Sequence, residues 1–365
     1  MIEKRTDYKL LALFAIWIVF GLIMLASASS PYAHEKYGDA YILIKKQIYL
    51  GFLPGLVLFI FFAKLDYHLL KKWSTWIYLG AVLLLLLVFI PGIGANYDTN
   101  AKSWLKIFGH SFQPAEFAKL ALIIYISAIL AKIGRDIVDF KSGFVFTLVL
   151  GFIPIGLVLL QPDVGTVSIL FTILFALLFT AGARWSHIIG LSMAGVAVLI
   201  VMVLIAPYRA DRLMIFLHPE LDPLGTGYHT SQAVLAIGTG GLLGKGLGHS
   251  VQKYQYLPEV HSDSIFAVLA EEMGLFVSVG FIILLLLIVI RSFKLARNTN
   301  DEFGRLLVAG IVVWFSVQTF LNIGAIVGIL PLTGVPLPFM SAGGTALLIG
   351  MASVGILANV SKQTL

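Results

Sequence analysis

Residues 257–290 have the sequence LPEVHSDSIFAVLAEEMGLFVSVGFIILLLLIVI, a polar stretch followed by a long apolar run. About 20 apolar residues cross a hydrocarbon core roughly 30 Å thick, so the run predicts a membrane helix with Asp263 at its start. Residues 207–262 before it are polar, glycine-rich and basic, and they follow another apolar run. An ionisable group at the mouth of a membrane helix favours chemistry on an anionic, membrane-bound substrate.

The composition excludes a water-soluble globule. Hydrophobic residues make up 59% of the chain and charged residues 12%, and the mean hydropathy is +0.96. The net charge of +6 is explained by cytoplasmic loops and anionic lipid headgroups, so no nucleic-acid partner is predicted. Because the chain has no cysteine, it forms no disulfide and offers no thiolate for catalysis or metal binding.

About ten apolar spans follow one another along the chain. They predict an all-α polytopic membrane protein, a single transmembrane domain over residues 1–365 with a large extracytoplasmic loop, residues 207–262, between helices 7 and 8. The predicted spans are residues 10–28, 47–63, 74–93, 113–131, 144–160, 164–182, 186–206, 263–290, 305–330 and 338–360.

An even number of spans places both termini on one side of the membrane. If that side is the cytoplasm, it holds most of the 25 Lys and Arg residues, as the positive-inside rule requires. The sequence therefore predicts a multi-pass protein of the cytoplasmic membrane with both termini in the cytoplasm. Nucleotide donors are absent outside, so group transfer there needs a donor activated on a lipid. The first span resembles a secretory signal, but its length and the later spans favour a retained helix.

Two predicted helix starts on the outer side carry a Gln-Pro pair followed by an acid, Gln113 with Glu116 and Gln161 with Asp163. Proline suits the first helical turn, and the helix dipole stabilises an acid there, so capping alone would explain both motifs. Capping does not explain Lys119, because a lysine in an apolar span costs roughly 2.5–3.5 kcal/mol at full membrane depth. We predict that Glu116 and Lys119 form a buried pair lining a polar cavity.

The span that begins at Asp263 also contains Glu271 and Glu272. On a regular helix Glu271 lies about 80° around from Asp263 and about 12 Å deeper, with Glu272 on the opposite side. Asp263 itself has the alternative role of a helix cap. For the two glutamates we predict hydrogen bonding between helices, and we assign Asp163 and Glu271 as structural residues of the cavity.

The glycine-rich run GTGGLLGKG at residues 238–246 lacks the Gly and the Ser or Thr of a nucleotide phosphate loop. Its backbone amides and Lys245 would still suit the border of a diphosphate site. Other basic residues of the same loop are Arg209, Arg212 and Lys253.

Four motifs resemble those of the SEDS family (shape, elongation, division and sporulation), in the family's order over nearly the whole chain. They are QPAEFAK at 113–119, QPDVGT at 161–166, LPEVHSD with FAVLAEE at 257–272, and GVPLPF with SAGG at 334–344. The resemblance implies a ten-helix glycosyltransferase that polymerises lipid II into peptidoglycan strands on the outer face of the cytoplasmic membrane. It also implies that Asp263 is the catalytic Asp, that Glu116 and Lys119 are the acid and lysine of the family's Gln-Pro-x-Glu-x-x-Lys motif, and that Arg212 is the loop arginine.

The chain departs from the family at three of these positions. The usual Thr and Phe beside the Asp are Ser262 and Ser264 here, and the Tyr of a later motif is Ala342, which bears on substrate fit. Residues 246–254 are more similar to the division (FtsW-like) branch than to the elongation branch. Either branch implies a membrane-anchored class B penicillin-binding protein as partner, with other division or elongation proteins, because glycan strands need crosslinking.

The mechanistic hypothesis has Asp263 as general base on the sugar 4-hydroxyl of lipid II, with inversion and with polyprenyl diphosphate as the leaving group. A divalent cation, Mg²⁺ or Mn²⁺, would suit that diphosphate, and no organic cofactor is expected. Two alternatives remain, a flippase of lipid-linked sugars and a non-catalytic scaffold of the cell-wall machinery. The residues predicted to meet the charge of the diphosphate are Lys119, Arg209, Arg212, Lys245 and Lys253.

Overall fold

A computed structural model of the chain describes residues 6–95, 103–107, 109–205, 214–218, 222 and 225–364. The elements are α1 (Tyr8–Tyr37), α2 (Ile42–Lys64), α3 (His68–Leu87), β1 (Gly94–Ala95), β2 (Trp104–Ile107), β3 (His110–Phe112), α4 (Pro114–Ile133), α5 (Phe146–Leu160), α6 (Val164–Thr180), α7 (Trp185–Ile205), α8 (Thr226–Gly240), α9 (Ile265–Asn298), α10 (Glu302–Ile326) and α11 (Gly344–Thr364).

Each of the ten predicted spans coincides with one of these helices, which confirms the all-α polytopic fold. Among the described residues, eight helices are long and apolar enough to cross a membrane, and α6 and α7 supply two shorter apolar ones. Several boundaries differ, including both ends of α3 (His68–Leu87 instead of 74–93) and the end of α9 (Asn298 instead of 290). Helix α1 continues to Tyr37, beyond the predicted end at residue 28. Helix α11 begins at Gly344 rather than at 338, because Phe339 has a left-handed backbone conformation with φ +61°, which a right-handed helix cannot include.

Polar contacts bring the two ends of the chain together at one end of the bundle. The backbone N–H of Asp7 donates to the hydroxyl of Ser361 at 3.1 Å, and Arg291 donates to the Asp7 carboxylate at 2.8 Å. At the same end Asn359 donates to the carbonyl of Leu65 in the turn between α2 and α3. Both termini therefore share a side, as an even number of crossings requires.

Helices α4, α10 and α11 form the centre of the bundle, with 67%, 67% and 78% of their apolar segments buried, whereas α2 buries only 17% of its own. The remaining faces of the outer helices are apolar and suit contact with lipid. A small antiparallel sheet of β1, β2 and β3 precedes α4, with Leu105 opposite Phe112 and Gly94 opposite Leu105. These strands are not among the elements predicted from the sequence.

The predicted extracytoplasmic loop contains a helix. Helix α8 packs on the core through Ala233 and Ala236, both fully buried. After it, the glycine-rich run docks against α9, which is broken at Gly274 with φ +75°. The run is thus a structural joint between α8 and α9.

Backbone hydrogen bonds across this joint satisfy the groups that the break leaves without helical partners. The carbonyls of Glu271 and Glu272 accept from the N–H groups of Lys245 and Gly246, at 3.0 and 2.9 Å. In return, the N–H of Leu275 donates to the carbonyl of Gly241 at 2.9 Å. An interrupted helix is tolerated at membrane depth when its backbone is paired in this way.

Candidate active site

Asp263 lies two residues before α9 begins, at the end of the bundle opposite the termini, and it is 9% exposed. The N–H groups of Ser262 and Ser264 both donate to the carbonyl of Glu259, which folds residues 259–264 into a tight turn. Asp263 lines a narrow cavity together with Asn322, Thr333, Gly334 and Val335 among others. The carboxylate is therefore held beside a narrow cavity at the end of the bundle opposite the termini.

Four hydrogen bonds connect the main chain around Asp263 to α10 and to the segment after it. Asn322 of α10 donates its side-chain amide to the carbonyl of Asp263 and to that of Val335, both at 2.8 Å. Ser341 donates to the carbonyl of Ser262 at 2.5 Å, and the N–H of Ala342 donates to the carbonyl of His261 at 2.8 Å. The segment after α10 and the turn of Asp263 thus form one unit.

Gln47 supports that unit from α2. Its side chain donates to the carbonyl of Ser341 and accepts from the N–H of Gly343. Gln47 opens a π-helical turn, residues 47–52, inside α2, and such turns recur at functional sites.

Glu116 and Lys119 form the predicted buried ion pair on α4, with 2.7 Å between Nζ and Oε1. Lys119 also donates to Gln318 at 2.8 Å and lies over the ring of Trp314. Gln318 in turn donates to the carbonyl of Pro336 at 2.9 Å. The pair does not line the cavity beside Asp263; it reaches the same segment, residues 333–336, through Gln318.

Asp163 is the N-cap of α6, and its carboxylate accepts from the N–H and the hydroxyl of Thr166. The capping alternative therefore accounts for its contacts. The start of α6 nevertheless borders the site, since a Cβ on Gly165 would lie 2.4 Å from Val335 and 3.1 Å from the Thr333 carbonyl. A glycine is needed there so that α6 can approach the cavity-lining segment.

Glu271 is fully buried and holds the loop after α8. Its carboxylate accepts from Lys245 at 2.6 Å, from Ser250 at 2.5 Å, and from the N–H groups of Val251 and Gln252. Four donors on one carboxylate fix the path of this loop. These contacts are structural, and none of them is made to Asp263.

Glu272 is also fully buried and binds Lys253 at 2.8 Å and Ser27 of α1 at 2.7 Å. Lys253 additionally donates to the hydroxyl of Ser27 and to the carbonyl of Gly248. An ammonium has three N–H donors, and all three of Lys253 have partners here. Glu272 thereby ties the first helix of the bundle to the joint in α9.

The structure joins Glu116, Lys119 and Asp263 through one face of α10 but keeps Lys245 and Lys253 with the glutamates. Arg209 and Arg212 lie outside the described residues. The side chains that connect these residues were not predicted from the sequence. Gln318 and Asn322 could have been, because polar residues four positions apart lie on one helix face and rarely occur in an apolar span without function. The side chains that were not predicted are Gln47, His229, Gln318, Asn322 and Ser341.

The ring of His261 stacks on Tyr32 of α1 with 4.5 Å between ring centroids. Burial lowers the pKa of His261, and the nearby charge of Lys36 lowers it further, while Glu259 acts in the opposite direction. The imidazole therefore favours its neutral form beside the turn of Asp263.

Within the part of the chain that the structure describes, no three His, Asp or Glu side chains are grouped as a metal site. Mg²⁺ commonly binds one or two carboxylates together with substrate phosphates. A divalent ion at this site would take Asp263 and the diphosphate as ligands. The predicted cation stays a prediction.

The comparison with known proteins identifies the family. The sequence profile FTSW_RODA_SPOVE, described as cell cycle protein, matches residues 8–365. The chain belongs to the FtsW/RodA/SpoVE family. This is the family that the four motifs resemble, and its match covers all of them.

Relatives within the FtsW/RodA/SpoVE family match over nearly their whole length. Stage V sporulation protein E of Bacillus subtilis (strain 168) is 37% identical, with 100% of both chains covered. A probable peptidoglycan glycosyltransferase FtsW of Geobacter sp. (strain M18) is 39% identical, covering 98% of this chain and 97% of the relative. The relatives therefore bear both division and sporulation names.

Solved structures of FtsW/RodA/SpoVE relatives share the fold. A chain from work described as "Structural coordination of polymerization and crosslinking by a peptidoglycan synthase complex" has a TM-score of 0.80 at 27% identity, with 98% of both chains covered. The rod shape determining protein RodA of Thermus thermophilus has a TM-score of 0.72 at 26% identity, covering 98% of this chain and 97% of that one.

Proposed function

We propose that this chain is a peptidoglycan glycosyltransferase that polymerises lipid II at the outer face of the cytoplasmic membrane, with Asp263 as general base. The observation that carries the assignment of the base is the position of its carboxylate. Asp263 lines the cavity at the end of the bundle opposite the termini, and Asn322 and Ser341 hold the main chain on both sides of it. A catalytic base needs such fixed geometry before its pKa matters.

The reaction joins two lipid-linked sugars. The 4-hydroxyl oxygen of incoming lipid II forms a bond to the anomeric carbon of the growing strand, and the bond from that carbon to the diphosphate breaks with inversion. Asp263 accepts the hydroxyl proton as the oxygen attacks, and later releases it to solvent. An alcohol is a poor nucleophile at neutral pH, and a positioned base typically contributes about 10²–10⁴ in rate.

The leaving diphosphate needs positive charge near it. The structure describes three of the lysines predicted to contact the diphosphate, and their side chains differ in how far they are exposed. Lys119 and Lys253 have side chains 1% and 2% exposed and lie in buried ion pairs, whereas the side chain of Lys245 is 31% exposed. We therefore favour Lys245 among these three, together with Arg209 and Arg212 of the same loop.

The membrane orientation and the partner belong to the same proposal. Both termini lie in the cytoplasm, which places Asp263 outside, where lipid II is presented to the wall. A membrane-anchored class B penicillin-binding protein crosslinks the strands, in keeping with a structural neighbour described as part of a synthase that polymerises and crosslinks. The similarity to FtsW relatives supports the division branch.

The proposed function is tested with the purified protein and lipid II in detergent. We expect glycan strands from the wild type, none from Asp263→Ala, and partial activity from Asp263→Glu, which keeps a carboxylate. Asp39→Asn is the matched control, because Asp39 is another carboxylate on the same side and pairs with Lys45 at an exposed site. Equal activity of Asp263→Ala and wild type would remove Asp263 from the mechanism. Lipid II transport into the opposite leaflet of vesicles without polymer would support the flippase instead.

A further inference from the structure

Ser264, the residue after Asp263, makes a contact that the proposed mechanism does not use. It is the N-cap residue of α9, but its side chain does not cap that helix. Its hydroxyl is completely buried and donates to the carbonyl of Pro258 at 2.8 Å. The same oxygen lies 2.6 Å from Nε2 of His229 on α8.

The number of hydrogens decides the direction of the second contact. A hydroxyl has one proton, and that of Ser264 lies on the bond to Pro258. The oxygen therefore accepts from His229, which requires a proton on Nε2. Either the neutral Nε2–H tautomer or the imidazolium meets this requirement, and so does the side-chain amide of a glutamine.

The resulting chain of hydrogen bonds crosses the turn that contains Asp263. It runs from His229 through Ser264 to the carbonyl of Pro258, where the turn begins. Asn322 and Ser341 hold this turn from α10 and the segment after it. His229 contacts the turn from α8, which belongs to the long loop between α7 and α9.

We propose that His229 is a positioning residue for Asp263 and acts through Ser264; the inference rests on the proposed role of Asp263 as base. A buried hydroxyl needs hydrogen-bond partners, and Ser264 has two, His229 as donor and the Pro258 carbonyl as acceptor. The pair thus fixes the main chain next to Asp263.

The experiment measures kcat and KM for lipid II polymerisation by the purified full-length protein. We expect His229→Ala to lower kcat about tenfold with little change in KM, the effect of losing one buried hydrogen bond to the catalytic turn. His229→Gln, which keeps an N–H donor, is expected to retain most of the wild-type kcat. Ser231→Ala, an exposed position on the same helix, is the control and is expected to match the wild type.

A second variant keeps the inference testable should His229→Ala fold poorly. Ser264→Ala removes this bond and the bond to Pro258 by deleting one atom, so it should lower kcat at least as much as His229→Ala. The double variant should be no slower than Ser264→Ala alone, because His229 acts through Ser264. The inference would be overturned if Ser264→Ala had the wild-type kcat, or if His229→Gln lost as much kcat as His229→Ala. It would also be overturned if the losses were additive in the double variant. Asp263→Asn in the same assay separates the two claims, since its activity tests the base alone.

Discussion

Asn322 donates a 2.8 Å hydrogen bond from its side-chain amide to the backbone carbonyl of Asp263, and a second one of equal length to the carbonyl of Val335. One side chain of α10 thereby aligns the turn of the proposed base with the segment that lines the cavity. Because this hydrogen bond is made to the main chain of Asp263, its effect on the reaction is one of geometry.

Replacement of Asn322 by Ala is expected to lower the rate of lipid II polymerisation by about tenfold or more, since about 1.4 kcal/mol of lost positioning is a factor of ten. Two buried carbonyls lose a donor at once. Ser316→Ala is the control, because the Ser316 hydroxyl binds only within α10, at the carbonyl of Val312. Equal rates for the two variants would show that α10 does not position Asp263.

The buried pair of Glu116 and Lys119 is expected to stabilise the bundle as a unit. Lys119→Met leaves the Glu116 carboxylate buried without its cation, which costs roughly 3–5 kcal/mol. The double variant Glu116→Gln/Lys119→Met should recover part of that loss. Thermal unfolding in detergent measures all three, with Lys132→Met at an exposed position of α4 as the control. Additive losses in the double variant would contradict the pairing.

The joint in α9 predicts opposite effects for two glycines of one helix. A Cβ on Gly274 would lie 2.3 Å from the backbone nitrogen of Gly244, at φ +75°, whereas a Cβ on Gly280 has nothing within 4 Å. Gly274→Ala should therefore lose folded protein, and Gly280→Ala should keep or raise stability by roughly 0.5–1 kcal/mol. Fluorescence-detected size exclusion reports both. A well-folded Gly274→Ala would show that the break is not required.

His261 predicts an acid-sensitive stability. Burial lowers its pKa in the folded state below the unfolded value of 6.5. As the pH falls below 6.5, the unfolded chain therefore binds a proton at this histidine more readily than the folded chain does. Stability should then be full above about pH 6.5 and should fall as the pH decreases below it. His261→Phe keeps a ring against Tyr32 without a titrating group, and its unfolding midpoint should change less between pH 7.5 and 5.5. His249→Gln, an exposed loop histidine, should behave like the wild type.

The membrane helices could be predicted from sequence because the bilayer demands long apolar runs, and all ten predicted spans coincide with helices. Helix α8 could not, since its apolar residues are interrupted by Gly227, Thr230 and Gly238 and its stability depends on packing against α9. The break at Gly274 depends equally on tertiary contact. Nothing local distinguishes it from Gly280 in the same helix.

For the candidate site, the sequence placed the titratable residues but not the amides and hydroxyls that orient them. Glu116 and Lys119 stand out because charge is rare in an apolar span. Gln318 and Asn322 carry the connection to residues 333–336, yet an uncharged amide gives a weaker signal. Lys245 and Lys253 were predicted as diphosphate contacts from charge alone. Their ion pairs with Glu271 and Glu272 arise from a fold-back of the loop onto α9 that local sequence does not specify.

The most direct test compares Asp263→Asn with the wild type in single-turnover polymerisation of lipid II, with lipid II binding measured on the same samples. Asparagine keeps the shape of the side chain and removes the proton acceptor, so binding should be unchanged while the rate falls by about 10²-fold or more. Polymerisation by Asp263→Asn at the wild-type rate, with binding intact, would contradict the assignment of Asp263 as the base.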